Sequence, residues 1–247
     1  MNPALIIDAL VNLSFGTGLT LVLTLVSLAV GFAISVPLSF VRAFRRPWQS
    51  VCVLAYTYVF RGTPMLVQLF LLYYGLSQIE AVRNSIFWPV LRDPFWCALI
   101  AFSLNSAAHT TEIFRRGLQA VPKGVLEAGG ALGLGRFQRA YLLAFPIAFR
   151  TSLPAYGNEV VGMLKGSSLA STVTLLEVTG LSRQMVSDTF APYEIFFAAA
   201  VIYLGLTFVA VRCMQLLENT LSYGSHITRK RKPPVMPRDP SSAATTP

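Results

Sequence analysis

Long apolar runs separated by short polar clusters dominate the chain, and they set its elements. From Ala9 to Val41 no charge occurs across 33 residues, where about 20 apolar residues suffice to span the hydrocarbon of a bilayer. This run predicts a spanning helix over residues 15–41 after a short amphipathic start, closed by Arg42, Arg45, Arg46 and Pro47. A second run, residues 49–76, is interrupted by Arg61-Gly62-Thr63-Pro64, which predicts a broken helix near the bilayer middle. A third covers 94–111 and stops at Glu112-Ile113-Phe114-Arg115-Arg116. The fourth, 141–164, carries Arg150, Asn158 and Glu159, and the fifth covers 195–211 and stops at Arg212.

These runs predict an all-α integral membrane protein with five transmembrane helices. Residues 1–14 are expected to be an N-terminal periplasmic segment, 15–222 the membrane domain and 223–247 a basic, disordered cytoplasmic tail. Composition agrees: 13% of residues are charged and mean hydropathy is +0.58, against about 25% charged in soluble domains. A barrel would need short alternating segments, and none are present. The first 41 residues hold no Lys or Arg, so the positive start of a secretory signal is missing.

The net charge of +9 would suggest nucleic acid in a soluble protein, but its placement points elsewhere. Arg42, Arg45, Arg46, then Arg115, Arg116, Lys123, Arg136 and Arg139, then Arg229-Lys230-Arg231-Lys232 fall on one side of five spans. The opposite loops, 77–93 and 165–192, balance Arg83, Arg92, Lys165 and Arg183 with Glu80, Asp93, Glu177 and Asp188. The positive-inside bias places the N-terminus outside and the C-terminus in the cytoplasm. The tail cluster reads as an anchor on anionic membrane lipid, and no nucleic-acid partner is expected. Cys52, Cys97 and Cys213 lie in apolar stretches without metal or disulfide spacing and read as small buried residues.

The segment between spans 3 and 4 is too apolar for a plain linker. Pro122 suits a first helical turn, and Gly133 and Gly135 suit its end, predicting a short helix over 123–132 that lies on the cytoplasmic face. Its Leu126, Ala128, Ala131 and Leu132 need a cover, for which a partner protein is the simplest source.

Here the chain resembles a known family. Glu127-Ala128, then Gly133, then Leu143-Ala144-Phe145-Pro146 follow the spacing of the EAA loop of ABC importer permease subunits. Phe60-Arg61-Gly62-Thr63-Pro64 with Val67-Gln68, Thr111-Glu112-Ile113-Phe114-Arg115 and Leu153-Pro154-Ala155-Tyr156-Gly157-Asn158-Glu159-Val160 strengthen the match towards polar amino-acid uptake. Residues 88–97 and Ser168-Leu169-Ala170-Ser171-Thr172 look most like permeases for octopine, nopaline and the basic amino acids histidine, lysine and arginine. The likeness runs from about Gly16 to Glu218. It implies the type I permease fold, a second permease chain (related or identical), two ATP-binding cassette subunits, a periplasmic substrate-binding protein, and the bacterial inner membrane. It also implies that residues 121–135 are the coupling loop, with Glu127, Ala128 and Gly133 as its functional positions. Two features depart from the family: Gly129-Gly130 stand where Ala and Arg are usual, which points to a coupling helix that is either less rigid or ordered only on docking, and His109 stands where Tyr is common.

No GxxxxGK[ST] motif occurs, so this chain is expected to be no enzyme and to bind no cofactor, with ATP and Mg held by the partner ATPase. Polar residues within spans default to function. Asn105, His109 and Glu112 share a face of span 3 at i, i+4 and i+7, Asn158 and Glu159 sit on span 4, and Arg61 and Thr63 sit at the break. Arg61, Thr63, Asn105, Glu112, Asn158 and Glu159 are therefore expected to line a substrate path, with Glu112 or Glu159 meeting a cationic group. The competing readings are an interfacial ion pair for Glu112 with Arg115 and Arg116, a structural Arg61–Glu159 pair, and a packed His109. The rival function is a self-sufficient secondary transporter or channel for small polar solutes. That class often shows paired broken helices and inverted repeats, whereas one break and no repeat are visible here.

Overall fold

The computed structural model describes residues 3–44 and 47–222, and among them there are helices and no strands. In chain order these are α1 (Pro3–Ser14), α2 (Thr17–Phe44), α3 (Pro47–Gly62), α4 (Met65–Phe70), the short turns α5 (Glu80–Arg83) and α6 (Trp88–Leu91), α7 (Pro94–Gln119), α8 (Lys123–Ala131), α9 (Arg136–Gln138), α10 (Phe145–Gly166), α11 (Val178–Thr189) and α12 (Pro192–Ser222). Arg45, Arg46 and the expected tail 223–247, with its Arg229–Lys232 cluster, lie outside the described residues.

Two helices, Thr17–Phe44 and Pro192–Leu221, are long and apolar enough to cross a membrane alone. Ser50–Gly62 and Met65–Gln78 qualify together as a pair bent by 105°. The break in the second run is therefore a sharp corner and not a gap in a straight span. The 26 residues of α7 and 22 of α10 give lengths of about 39 and 33 Å at 1.5 Å per residue. Their polar residues keep them below the apolarity of α2 and α12.

The polar α7 is tolerated because its neighbours cover it. Along α2, Thr20, Thr24, Ser27, Gly31, Ser35 and Ser39 are buried, three or four apart on one face. Several hydroxyls donate to carbonyls of their own helix, as Thr24 does to Thr20 O at 2.7 Å and Ser39 to Val36 O at 2.7 Å. These small side chains let two backbones approach closely, which is how helices associate in lipid. At Gly31 a β-carbon would lie 2.9 Å from Ser106 Cβ and 3.1 Å from Ala107 N. Phe32 of α2 then meets Phe114 edge-on at 5.5 Å, and Phe114 stacks on Phe149 of α10 at 5.9 Å.

The N-terminal segment forms a helix docked on α11 and α12. Ala9 and Leu13 of α1 are buried with Val178 of α11 and Ile195, Ala198 and Ala199 of α12. The α11 start is held by Glu177, whose carboxylate is fully buried and accepts from Thr179 N and Gly180 N at 2.9 Å and from Tyr203 Oη at 2.8 Å. Burial pushes the Glu177 carboxyl above its ordinary pKa in spite of these donors. Thr20 accepts from Val178 N at 3.3 Å, and Gly16 leaves no room for a side chain against the Glu177–Val178 backbone. Of the three cysteines expected to be buried, only Cys97 is, donating to Leu91 O at 2.9 Å; Cys52 and Cys213 are exposed.

Gly31→Leu is expected to destabilise the purified protein by about 2–3 kcal/mol or more, as overpacking of a tight contact does. Gly18→Ala, where nothing lies within 4 Å, is expected to stabilise by up to about 1 kcal/mol through helix propensity. Thermal melts in detergent read both.

Candidate functional site

Pro64 has no backbone N–H, so the helical partner of the Phe60 carbonyl, four residues earlier, is missing. In a bilayer such a carbonyl must be satisfied by protein or by a water-filled cavity. Here side chains supply the bonds. Gln68 Nε2 donates to Phe60 O at 2.8 Å, Thr63 O at 3.1 Å and Thr63 Oγ1 at 2.7 Å. Asn105 Nδ2 reaches across from α7 to Phe60 O at 3.2 Å and to Gln68 Oε1 at 3.0 Å. Asn105 and Thr63, expected in the substrate path, thus bind the backbone at the corner, and Gln68, visible in the sequence only as part of a motif, is the centre of that network.

Arg61 is exposed at the corner and lies close enough to interact electrostatically with Glu159 of α10 and His109 of α7. Arg61 and Glu159 do not form a contact ion pair among the described residues. Glu159 lies beside the Ser106 hydroxyl, in a geometry too poor for a regular hydrogen bond. Asn158 is exposed, and with Arg150, Thr151, Pro154, Ala155, Gly162 and Lys165 it forms one uncovered face of α10. A polar, small-residue face of this kind fits a neighbouring protein helix or water, and not lipid.

Glu112 is engaged differently. Its Oε1 accepts from Arg42 Nε of α2 at 3.2 Å and its Oε2 from Arg115 Nε at 2.7 Å, and Arg115 also donates to Gln119 at 2.6 Å. The ion-pair reading of Glu112 is realised with Arg115, and with Arg42 in place of Arg116. The Arg42–Glu112 pair joins α2 to α7 seven residues (~10 Å) along α7 from Asn105.

The loop after α7 carries the expected short helix, Lys123–Ala131. It closes with Gly133 at φ +80°, where Leu134 N donates to Gly129 O at 3.0 Å and Gly133 N to Gly130 O at 3.0 Å; this is the Schellman end that a glycine permits. Glu127 and Ala128 are exposed, while Leu126 packs on an inner cluster of Leu118, Val121, Ala144 and Ala148 with Phe40 and Ala43. The Gly129-Gly130 pair is not a loose spot. Gly129 is buried, and a β-carbon there would lie 2.5 Å from Leu143 Cδ1.

Gln68→Leu removes the shared donor at the corner. It is expected to cost about 1–3 kcal/mol by leaving Asn105 as the one side-chain donor to the Phe60 carbonyl and stripping Thr63 of its Gln68 donor, read as a fall in melting temperature, with Asn105→Leu showing a similar and non-additive loss.

Comparison with known proteins accords with this geometry. The chain is 44% identical over 219 residues to the nopaline transport system permease protein NocM of Agrobacterium fabrum, covering 88% of this chain and 91% of that one. It is 38% identical over 203 residues to the arginine ABC transporter permease protein ArtM of Haemophilus influenzae, covering 82% and 89%. Among solved structures, an amino acid ABC transporter crystallised with histidines superposes with a TM-score of 0.73 at 29% identity over 88% of this chain and 94% of that one. A chain of the inward-facing MetNI methionine ABC transporter, at 18% identity over 85% of this chain and 96% of that one, shares the fold with a TM-score of 0.67. Residues 31–223 match the family of binding-protein-dependent transport system inner membrane components, and the chain belongs to that family of ABC importer permease subunits.

Proposed function

We propose that this chain is one of two permease subunits, identical or related, of an ATP-driven importer for cationic amino acids or opines in the bacterial inner membrane. The observation that carries the reading is the pairing of an exposed, well-ended α8 with an uncovered polar face on α10. The first fits an ATPase subunit and the second fits a partner permease. In this arrangement α2, α3 with its corner, α7, α10 and α12 are the five spans, with the N-terminus outside and α8 in the cytoplasm, a topology supported by the positive-inside bias of the arginines.

The path runs between the uncovered face of α10 and the corner after α3. Glu159 meets the cationic group of the substrate, Arg61 its carboxylate, and Asn158 its backbone polar atoms. Asn105 and Thr63 hold the corner in shape. Glu112, with Arg42 and Arg115, closes the inner end. A substrate-binding protein delivers the molecule outside. ATP and Mg belong to two cassette subunits, whose closure moves residues 121–135 and rocks the paired permeases from inward-open to outward-open. Glu127 and Ala128 supply the docking surface, and Gly133 supplies the turn that presents it.

Affinity purification in mild detergent is expected to recover a P-loop ATPase with this chain, and Glu127→Arg with Gly133→Val is expected to lose it. A stable chain recovered without any ATPase contradicts the reading. Glu159→Gln is expected to lower uptake of radiolabelled arginine, octopine and nopaline about tenfold or more, the weight of one charge-assisted contact, while leaving the ATPase bound. Unchanged uptake removes Glu159 from the path.

A further inference from the structure

The glycine pair of α8 is a fitted notch. Arg139, in the π-helical turn Arg139–Ala144 that leads into α10, passes its stem across Gly129 and its guanidinium across Gly130. β-Carbons at these positions would lie 3.2 Å from Arg139 Cγ and 3.0 Å from Arg139 Nη1. Arg139 Nη1 donates to Leu126 O of α8 at 3.2 Å. Leu143, four residues on and so on the same side of its helix, fills the remaining space against Gly129. The Arg139 Nε is buried with no partner, so the guanidinium sits where packing holds it and not where every donor is satisfied.

A nine-residue helix with three glycines, Gly124 and the adjacent Gly129 and Gly130, gives up about 1 kcal/mol per interior glycine relative to alanine. On its own it would be a poor lever. The helix that grips it continues without a break from Arg136 through α10 to Gly166, and that helix carries Asn158 and Glu159.

We propose that Arg139 is a positioning residue that clamps α8 to the start of α10, so that the coupling helix and the substrate-path helix move as one rigid lever. Glu127 and Ala128 face away from the clamp and remain free to dock. The π-helical turn supplies the local geometry that brings Arg139 and Leu143 onto the notch together. This inference rests on the permease reading above.

The test uses the whole complex, purified with its ATPase subunits and reconstituted in sealed vesicles, with whichever of arginine, octopine and nopaline the wild type moves fastest. ATP hydrolysis and uptake are measured on the same samples. With Arg139→Ala, hydrolysis is expected to stay within about twofold of wild type while substrate moved per ATP falls about tenfold, the equilibrium weight of a charged hydrogen bond. Arg139→Lys, which keeps a donor but not the planar cover, is expected to recover part of the ratio. Gly129→Ala, which displaces Leu143, is expected to lower the ratio as well. Hydrolysis and uptake falling in parallel, or a ratio unchanged in all three variants, overturns the clamp. Uptake by the wild type without ATP overturns the permease reading and the clamp with it, and the two failures are told apart by the wild-type sample alone.

Discussion

Backbone and side-chain polar groups inside a bilayer find partners within the protein or impose a cost of several kcal/mol each, and α7 is where this chain meets that constraint. Its Asn105 completes the bonding of the Phe60 carbonyl. Its Ser106 lies against Gly31 of α2, and its Glu112 is neutralised by Arg42 and Arg115. A helix with this many polar residues is stable in a membrane only if others surround it, and α2, α3, α4 and α10 do so. The small-residue face of α2 follows from the same need, since a bulkier stripe would hold the helices apart and open α7 to lipid.

With α7 fixed as the centre, the two ends of the molecule acquire different characters. At one end, Leu126 of α8 shares a cluster with Phe40 of α2, Leu118 of α7 and Ala148 of α10, so a displacement of α8 would reach three long helices at once. Toward the other end of α2, Glu177 ties α11 to α12 and Thr20 ties it to α2, while α1 closes over the seam. Between them α10 is covered on one side only. The uncovered side carries Asn158, Arg150 and Lys165, a polar face that suits a neighbouring protein surface better than lipid.

Much of this was legible in the sequence, and the exceptions share a cause. The apolar runs located α2, α7, α10 and α12 because hydrophobic length is a local property. The short helix after α7 was expected over 123–132 and is Lys123–Ala131, because Pro122 and Gly133 mark its ends by backbone geometry alone. The 105° corner, the role of Gln68 and the docking of α1 were not legible, since each depends on what lies across the fold. Arg42 meets Glu112 from 70 residues away, and no spacing rule links them. The glycine pair shows the difference most clearly. Read in sequence, Gly129-Gly130 is a loss of stiffness; read in space, it is the room that Arg139 and Leu143 occupy.

The account stands on this chain drawing its energy from another. The most direct measurement is uptake by the purified complex in sealed vesicles, comparing ATP on the cytoplasmic side with an imposed proton or sodium gradient and no nucleotide. Accumulation that requires hydrolysable ATP, and is indifferent to the ion gradients, is the predicted result. Accumulation driven by a gradient in the absence of ATP would contradict it.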